Sequence, residues 1–204
     1  MRPDCGGKNF VSRAPKLVPF FVSSVLIALA DQIMKLAVVA NFALGESLTI
    51  IPGFFSFTYY RNRGGAFSLL AGLPPVWGRT FFIVATLAAL GFVFYLYRFN
   101  PPETRWGRVG LVMISGGGLG NLVDRVAYGE VIDFVLFYYR GYAWPAFNLA
   151  DSCITVGVVF LAVDLFRNPY GEPSGGKPPS GDLPNGDLPD GSGSESGDGP
   201  ISQT

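Results

Sequence analysis

The chain has 204 residues, of which 49% are hydrophobic and 15% charged, and its mean hydropathy is positive, a composition too apolar for an average soluble domain and suited to several membrane spans. Its formal net charge is zero, so a nucleic-acid partner has no electrostatic support. Histidine is absent, which removes Ser-His-Asp and Cys-His nucleophile systems and every histidine-ligated metal site.

Four apolar segments follow in chain order. The first runs from about Leu17 to Leu44, broken only by Asp31, Gln32, Lys35 and Asn41, longer than the roughly 20 residues a spanning helix needs. No small-residue cleavage pattern follows a short apolar core, so a retained helix is expected rather than a removed signal peptide. On the far side of it, residues 43–78 ("ESLTIIPGFFSFTYYRNRGGAFSLL" at their centre) mix Phe, Tyr, Thr and Ile with Pro52, Gly53 and Gly64-Gly65, which predicts short strands joined by turns at the membrane surface. The same aromatics equally suit the belt that marks any membrane interface.

The second segment, Thr80 to Tyr97, carries no charge and ends at Arg98. The third, about Val109 to Val126, crowds glycine into "SGGGLGN", which favours a packed interior helix because small residues let helix backbones approach. The fourth, about Ala143 to Phe166, contains Asp151 and Asp164. Four spans put both termini on one side. Nine Lys and Arg lie on that side (Arg2, Lys8, Arg13, Lys16, Arg98, Arg105, Arg108, Arg167, Lys177) against five on the other (Arg61, Arg63, Arg79, Arg125, Arg140), so the termini are expected in the cytoplasm. From Gly171 the sequence is mostly Gly, Pro, Ser and Asp; a disordered tail, dispensable for chemistry, is expected. Cys5 and Cys153 lie in unlike surroundings and no disulfide between them is expected.

The polar residues near the membrane carry the chemistry. Asp31 and Lys35, four apart, share a helix face and can pair. Asn121, Asp124 and Arg125 stand in "GNLVDR", Asp133 in "EVIDF", and Asn148 with Asp151 in "FNLAD". Any one of them reads as a helix cap or an interfacial ion pair, Asp164 most of all. Together Asp31, Asn62, Asn121, Asp124, Asp133, Asn148 and Asp151 fall at the outer ends of spans or in outer loops, and intramembrane ionisable groups are costly and usually functional. Two carboxylates held close cannot both ionise cheaply, so one keeps a proton while the other activates water, with no need of metal, serine or histidine.

In family order, "DQIMK" (31–35), "NRGGAFS" (62–68), "GGGLGNLVDR" (116–125), "VIDF" (131–134) and "FNLADSCITVG" (147–157) resemble the motif blocks of the bacterial lipoprotein signal peptidases, the signal peptidase II family. The resemblance spans about Val18 to Phe166; Gly65 stands where many members have alanine. It implies an aspartyl endopeptidase of the cytoplasmic membrane that removes signal peptides from diacylglyceryl-modified prolipoproteins, cutting before the lipidated cysteine, without a cofactor and blocked by globomycin. Asp133 and Asp151 take the positions of the family's catalytic aspartates, with Asp31, Lys35, Asn62, Gly64, Asn121, Asp124, Arg125 and Asn148 supporting the site or holding substrate. Asp124 is the alternative partner for Asp151; Asp133 is preferred on the family pattern and because the adjacent Arg125 offers Asp124 an ion pair. The expected architecture is a tail (1–16), a four-transmembrane-helix peptidase domain (17–166) whose extracytoplasmic β-rich subdomain lies between the first and second helices, and a cytoplasmic tail (167–204). Prolipoproteins and membrane lipids are the expected partners, nucleic acid is not, and a monomer is expected. A presenilin- or prepilin-type protease would need a Gly-x-Gly-Asp motif, which does not occur. A non-enzymatic channel or transporter subunit, the remaining alternative, would spread its acids through membrane depth.

Overall fold

A computed structural model describes residues 16–63, 75–102 and 104–167. In chain order these form α1 (Leu17–Asn41), β1 (Ser47–Ile51), β2 (Phe55–Asn62), α2 (Pro75–Phe99), α3 (Arg105–Ala127), β3 (Val131–Tyr139), β4 (Tyr142–Ala143) and α4 (Leu149–Arg167). Helix starts follow from local chemistry. Pro19 and Pro75 occupy first turns, where no intrahelical donor is lost. Thr104 caps α3 by accepting the Gly107 amide at 3.1 Å.

Helices α1, α2 and α4 are long and apolar enough to cross a membrane. Helix α3 is not among them, and its place in the fold explains why. It packs against each of the other three helices, so much of its surface meets protein and glycine replaces bulk. A Cβ on Gly110 would lie 2.6 Å from the Gly157 carbonyl oxygen of α4, and one on Gly157 would lie 2.7 Å from the Gly110 carbonyl oxygen; the two backbones touch through this reciprocal gap. At one end of the helices Phe20, Val93, Tyr97 and Leu111 form a buried cluster, and at the other Val38, Tyr59, Ile132 and Phe134 join α1 to the sheet.

The sheet is antiparallel in the order β1-β2-β3-β4. Only β1 and β2 come from the region between the first two helices; β3 and β4 come from between α3 and α4, so the expected β-rich subdomain is extended by strands later in the chain. Residues 131–139, "VIDFVLFYY", form an apolar run buried at its start, without the alternation that marks a half-exposed strand. Likewise the fourth helix begins at Leu149 and not near Ala143, because Tyr142 and Ala143 pair with β3 through a two-residue turn in which Arg140 and Gly141 both have positive φ, the geometry that matches strand twist. The chain passes from α3 to β3 through Gly129, whose φ of 77° and amide bond to the Arg125 carbonyl end the helix in a left-handed cap. That turn sets the last turn of α3 beside the first residues of β3.

Candidate active site

The polar residues gather where the sheet meets the helix ends. Phe147 is bonded to β3 in both directions, its amide to the Val135 carbonyl at 3.0 Å and its carbonyl to the Val135 amide at 2.8 Å. The next residue, Asn148, is the N-cap of α4. Its Oδ1 accepts the Asp151 amide at 2.9 Å, and Asp151 Oδ2 accepts the Asn148 amide at 3.4 Å, a reciprocal capping box that ties a carboxylate to the first turn of the helix. The other half of the Asn148 side chain faces the strand: Nδ2 donates to Asp133 Oδ1 at 2.8 Å and to the Ile132 carbonyl at 3.2 Å. One side chain thus holds Asp133 and Asp151 in the same frame.

A second set of contacts centres on Lys35. Its ammonium group lies 2.6 Å from Asp31 Oδ2, 2.8 Å from Asp124 Oδ2 and 3.1 Å from Asn121 Oδ1, which uses all three of its donors. Asp31 also accepts the Ala150 amide of α4 at 2.9 Å, and Asp124 accepts the Ile132 amide of β3 at 3.1 Å. Asn121 links the two sets, donating from Nδ2 to Asp151 Oδ1 at 2.7 Å while its Oδ1 accepts from Lys35 and from Asn148. Charges buried this deeply are tolerated only with complete hydrogen bonding, and among the described residues no buried side-chain nitrogen or oxygen lacks a partner.

Exposure separates the carboxylates. Asp31 and Asp124 are 0% exposed and Asp133 is 1% exposed, whereas Asp151 is only partly buried. Burial, reinforced by the neighbouring Asp151 charge, pushes the Asp133 carboxyl up to about 7, against the opposing hydrogen bonds from Asn62 and Asn148. The Asn62 Nδ2 donor sits 3.1 Å from Asp133 Oδ2, brought there by the pairing of β2 with β3. No group of three or more His, Cys, Asp or Glu side chains among the described residues is arranged to hold a metal ion.

The structure therefore brings together Asp31, Lys35, Asn62, Asn121, Asp124, Asp133, Asn148 and Asp151. Gly64 lies outside the described residues, as do Cys5 and the tails apart from Lys16 and Arg167. Arg125 departs from expectation: it forms no ion pair with Asp124, whose partner is Lys35. Successive residues are about 100° apart around a helix, so Asp124 faces α1 while Arg125 bonds the Asn121 carbonyl at 3.3 Å and lies 5.2 Å from the Phe82 ring centroid. Asp164 is remote from this layer and accepts the Thr104 amide at 3.2 Å at the start of α3. Cys153 is a free thiol. One member of the network, Gln32, is not among the residues expected at the site; its Nε2 donates to Asp124 Oδ1 at 2.8 Å. The available signal was angular, since residues 31, 32 and 35 lie within an arc of about 100° on one helix face.

Comparison with known proteins shows the family. The family model for signal peptidase (SPase) II matches residues 23–167. The chain belongs to the signal peptidase II family. It is 45% identical to the lipoprotein signal peptidase of Syntrophus aciditrophicus over 74% of this chain and 94% of that relative, and 42% identical to that of Geobacter metallireducens over 73% and 91%. Two solved structures described as a bacterial membrane enzyme are similar as well. One, at 2.3 Å resolution, has a TM-score of 0.67 and 29% identity over 80% of this chain and 96% of its own; the other, at 1.9 Å, has a TM-score of 0.66 and 30% identity over 76% and 97%. As a signal peptidase II, the chain is a membrane aspartic peptidase that removes signal peptides from prolipoproteins. Family and apolar helices together suggest a bacterial inner-membrane protein.

Proposed function

We propose that Asp133 and Asp151 are the catalytic pair, cleaving diacylglyceryl-modified prolipoproteins immediately before the lipidated cysteine. The observation that carries this reading is Asn148, which holds Asp133 through its amide nitrogen and Asp151 through its cap. Asp133, buried and raised to about 7, keeps the proton of the pair and polarises the scissile carbonyl. Asp151, the less buried of the two, takes a proton from water as the hydroxyl adds to that carbonyl, then gives it to the departing amide nitrogen as the C–N bond breaks. Asp124 has both oxygens engaged by Lys35, Gln32 and the Ile132 amide, which favours a supporting role. Asn62 and Asn121 orient the pair, and Arg125 and Gly64 contribute to substrate binding.

In this reading all four helices cross the inner membrane, both termini are cytoplasmic, and the polar layer lies near the extracytoplasmic face. The charge distribution supports that orientation, and the clustered Phe20, Tyr97 and Leu111 support it by placing the starts of α1 and α3 with the end of α2. Residues 17–166 form the peptidase domain, which works as a monomer among membrane lipids; residues 167–204 are dispensable for turnover, and globomycin inhibits the enzyme. A substrate at this depth benefits from its lipid, because each buried methylene contributes about 0.8 kcal/mol to membrane anchoring. Mass analysis of the products from lipidated and unlipidated versions of one prolipoprotein tests the reading. It predicts a single cut before the lipidated cysteine and a strong preference for the lipidated form; equal rates for both forms overturn it.

A further inference from the structure

Gln32 touches neither Asp133 nor Asp151, yet its contacts converge on the residue that fixes β3. Its Nε2 donates to Asp124 Oδ1 at 2.8 Å and to the Gly120 carbonyl at 3.0 Å, and lies 3.5 Å from Asp31 Oδ2. The second oxygen of Asp124 carries Lys35 at 2.8 Å and the Ile132 amide at 3.1 Å. Ile132 immediately precedes Asp133. Rotation about the last torsion of an aspartate is soft, so an Asp124 held through one oxygen alone swings, and the strand amide bound to that oxygen moves with it. Anchoring the other oxygen stops the swing.

We propose that Gln32 is a positioning residue for the reaction: by holding Asp124 Oδ1 on α1 it fixes the Ile132 amide and so sets the placement of Asp133 relative to Asp151. The inference rests on the pair proposed above. The charged and polar groups facing Asp133 are Asn62 from β2, Asn148 and Asp151 from the start of α4, Lys35 from α1 and Arg125 from α3. Of these, Asp151 is the one whose charge holds a proton on Asp133. Letting β3 drift from α4 weakens that influence, so the protonated form of Asp133 is lost at a lower pH.

The experiment is a swap in the full-length enzyme, assayed on a lipidated prolipoprotein across pH. Gln32→Glu sets two carboxylates against each other, and Asp124→Asn sets two amides against each other. The double variant restores one donor facing one acceptor and leaves net charge unchanged. Loss of one hydrogen bond to a charged group corresponds to roughly tenfold, so each single variant should lose about that much in kcat, with KM within about twofold; where no carboxylate is added, in Asp124→Asn and Gln32→Met, the alkaline limb should also move to lower pH. The double variant should regain most of the kcat and return the limb toward wild type. Should Gln32→Glu not fold, Gln32→Met removes the donor without adding charge and should show the same loss and the same pH displacement. A Gln32 variant with wild-type kcat and pH profile overturns the proposal, as does a double variant no better than the poorer single one, or a kcat loss with no movement of the pH limb in Asp124→Asn or Gln32→Met. Wild-type turnover by Asp133→Asn in the same assay refutes the catalytic pair itself, a distinct result.

Discussion

Asn148 and Asp151 cap each other: the side-chain oxygen of Asn148 accepts the Asp151 amide at 2.9 Å, and the Asp151 carboxylate accepts the Asn148 amide at 3.4 Å. A stability device of helix starts is here also the mount of the carboxylate proposed to activate water. The two roles can be separated by substitution. Asn148→Ser keeps an oxygen cap but discards the amide that donates to Asp133, Ile132 and Asn121, so turnover should fall at least about a hundredfold and the melting temperature should fall with it, because buried acceptors lose their donor. Asn148→Ala should cost about 1 kcal/mol more in stability than Asn148→Ser. Equal turnover in the wild type and Asn148→Ser would show that the amide contact to Asp133 is unimportant.

Lys35 is 1% exposed and sits between two fully buried carboxylates. Lys35→Met leaves Asp31 and Asp124 facing one another without a cation, and breaking a buried pair costs about 3–5 kcal/mol. Adding Asp124→Asn to Lys35→Met removes one of the stranded charges. The melting temperature should therefore drop for the single variant and partly recover in the double one; further loss in the double variant would show that Lys35 does not serve to neutralise this pair.

How much of this was legible in the sequence depended on the length scale of each signal. The three apolar helices were visible from composition alone, and Asp31 with Lys35 from their four-residue spacing. Strand β3 was not, because residues 131–139 are buried at the start of the strand and lack alternation, so only the aspartate within them stood out. Adjacency in sequence points to Arg125 as the partner of Asp124, whereas the fold turns Asp124 toward Lys35 on another helix. Contacts between residues 92 positions apart, such as Gln32 with Asp124, leave no local trace.

Asp133 titrates at about 7 in the fold, above the ordinary carboxylate value of 3.8. Between those values the folded state holds a proton that the unfolded chain has released, so each step of rising pH costs stability; the contribution is fully present below about pH 4 and lost through about pH 7. Asp133→Asn does not titrate. Wild type should lose melting temperature relative to Asp133→Asn as pH rises across this window, and wild-type turnover should decline above about pH 7 as the proton leaves. A melting-temperature difference that stays constant with pH would contradict the assignment.

Orientation in the membrane is open to a direct check. A reporter fused after Arg167 should be active only if it requires the cytoplasm, and a chain truncated after Asn168 should retain turnover within about tenfold of the full chain, since the removed residues are too polar to build a core. A reporter active only outside the cytoplasm would reverse the proposed topology.

The central claim is that Asp133 and Asp151 act as one unit while Asp124 supports them. It is tested most directly by turnover of a lipidated prolipoprotein by purified, folded Asp133→Asn, Asp151→Asn, their double variant and Asp124→Asn. The expected result is turnover near background for either dyad variant, scarcely less for the double one because residues acting as a unit are not additive, and a milder loss, about tenfold, for Asp124→Asn. Substantial turnover by Asp133→Asn with none by Asp124→Asn would transfer the role to Asp124, and an active Asp151→Asn would contradict the aspartyl mechanism itself.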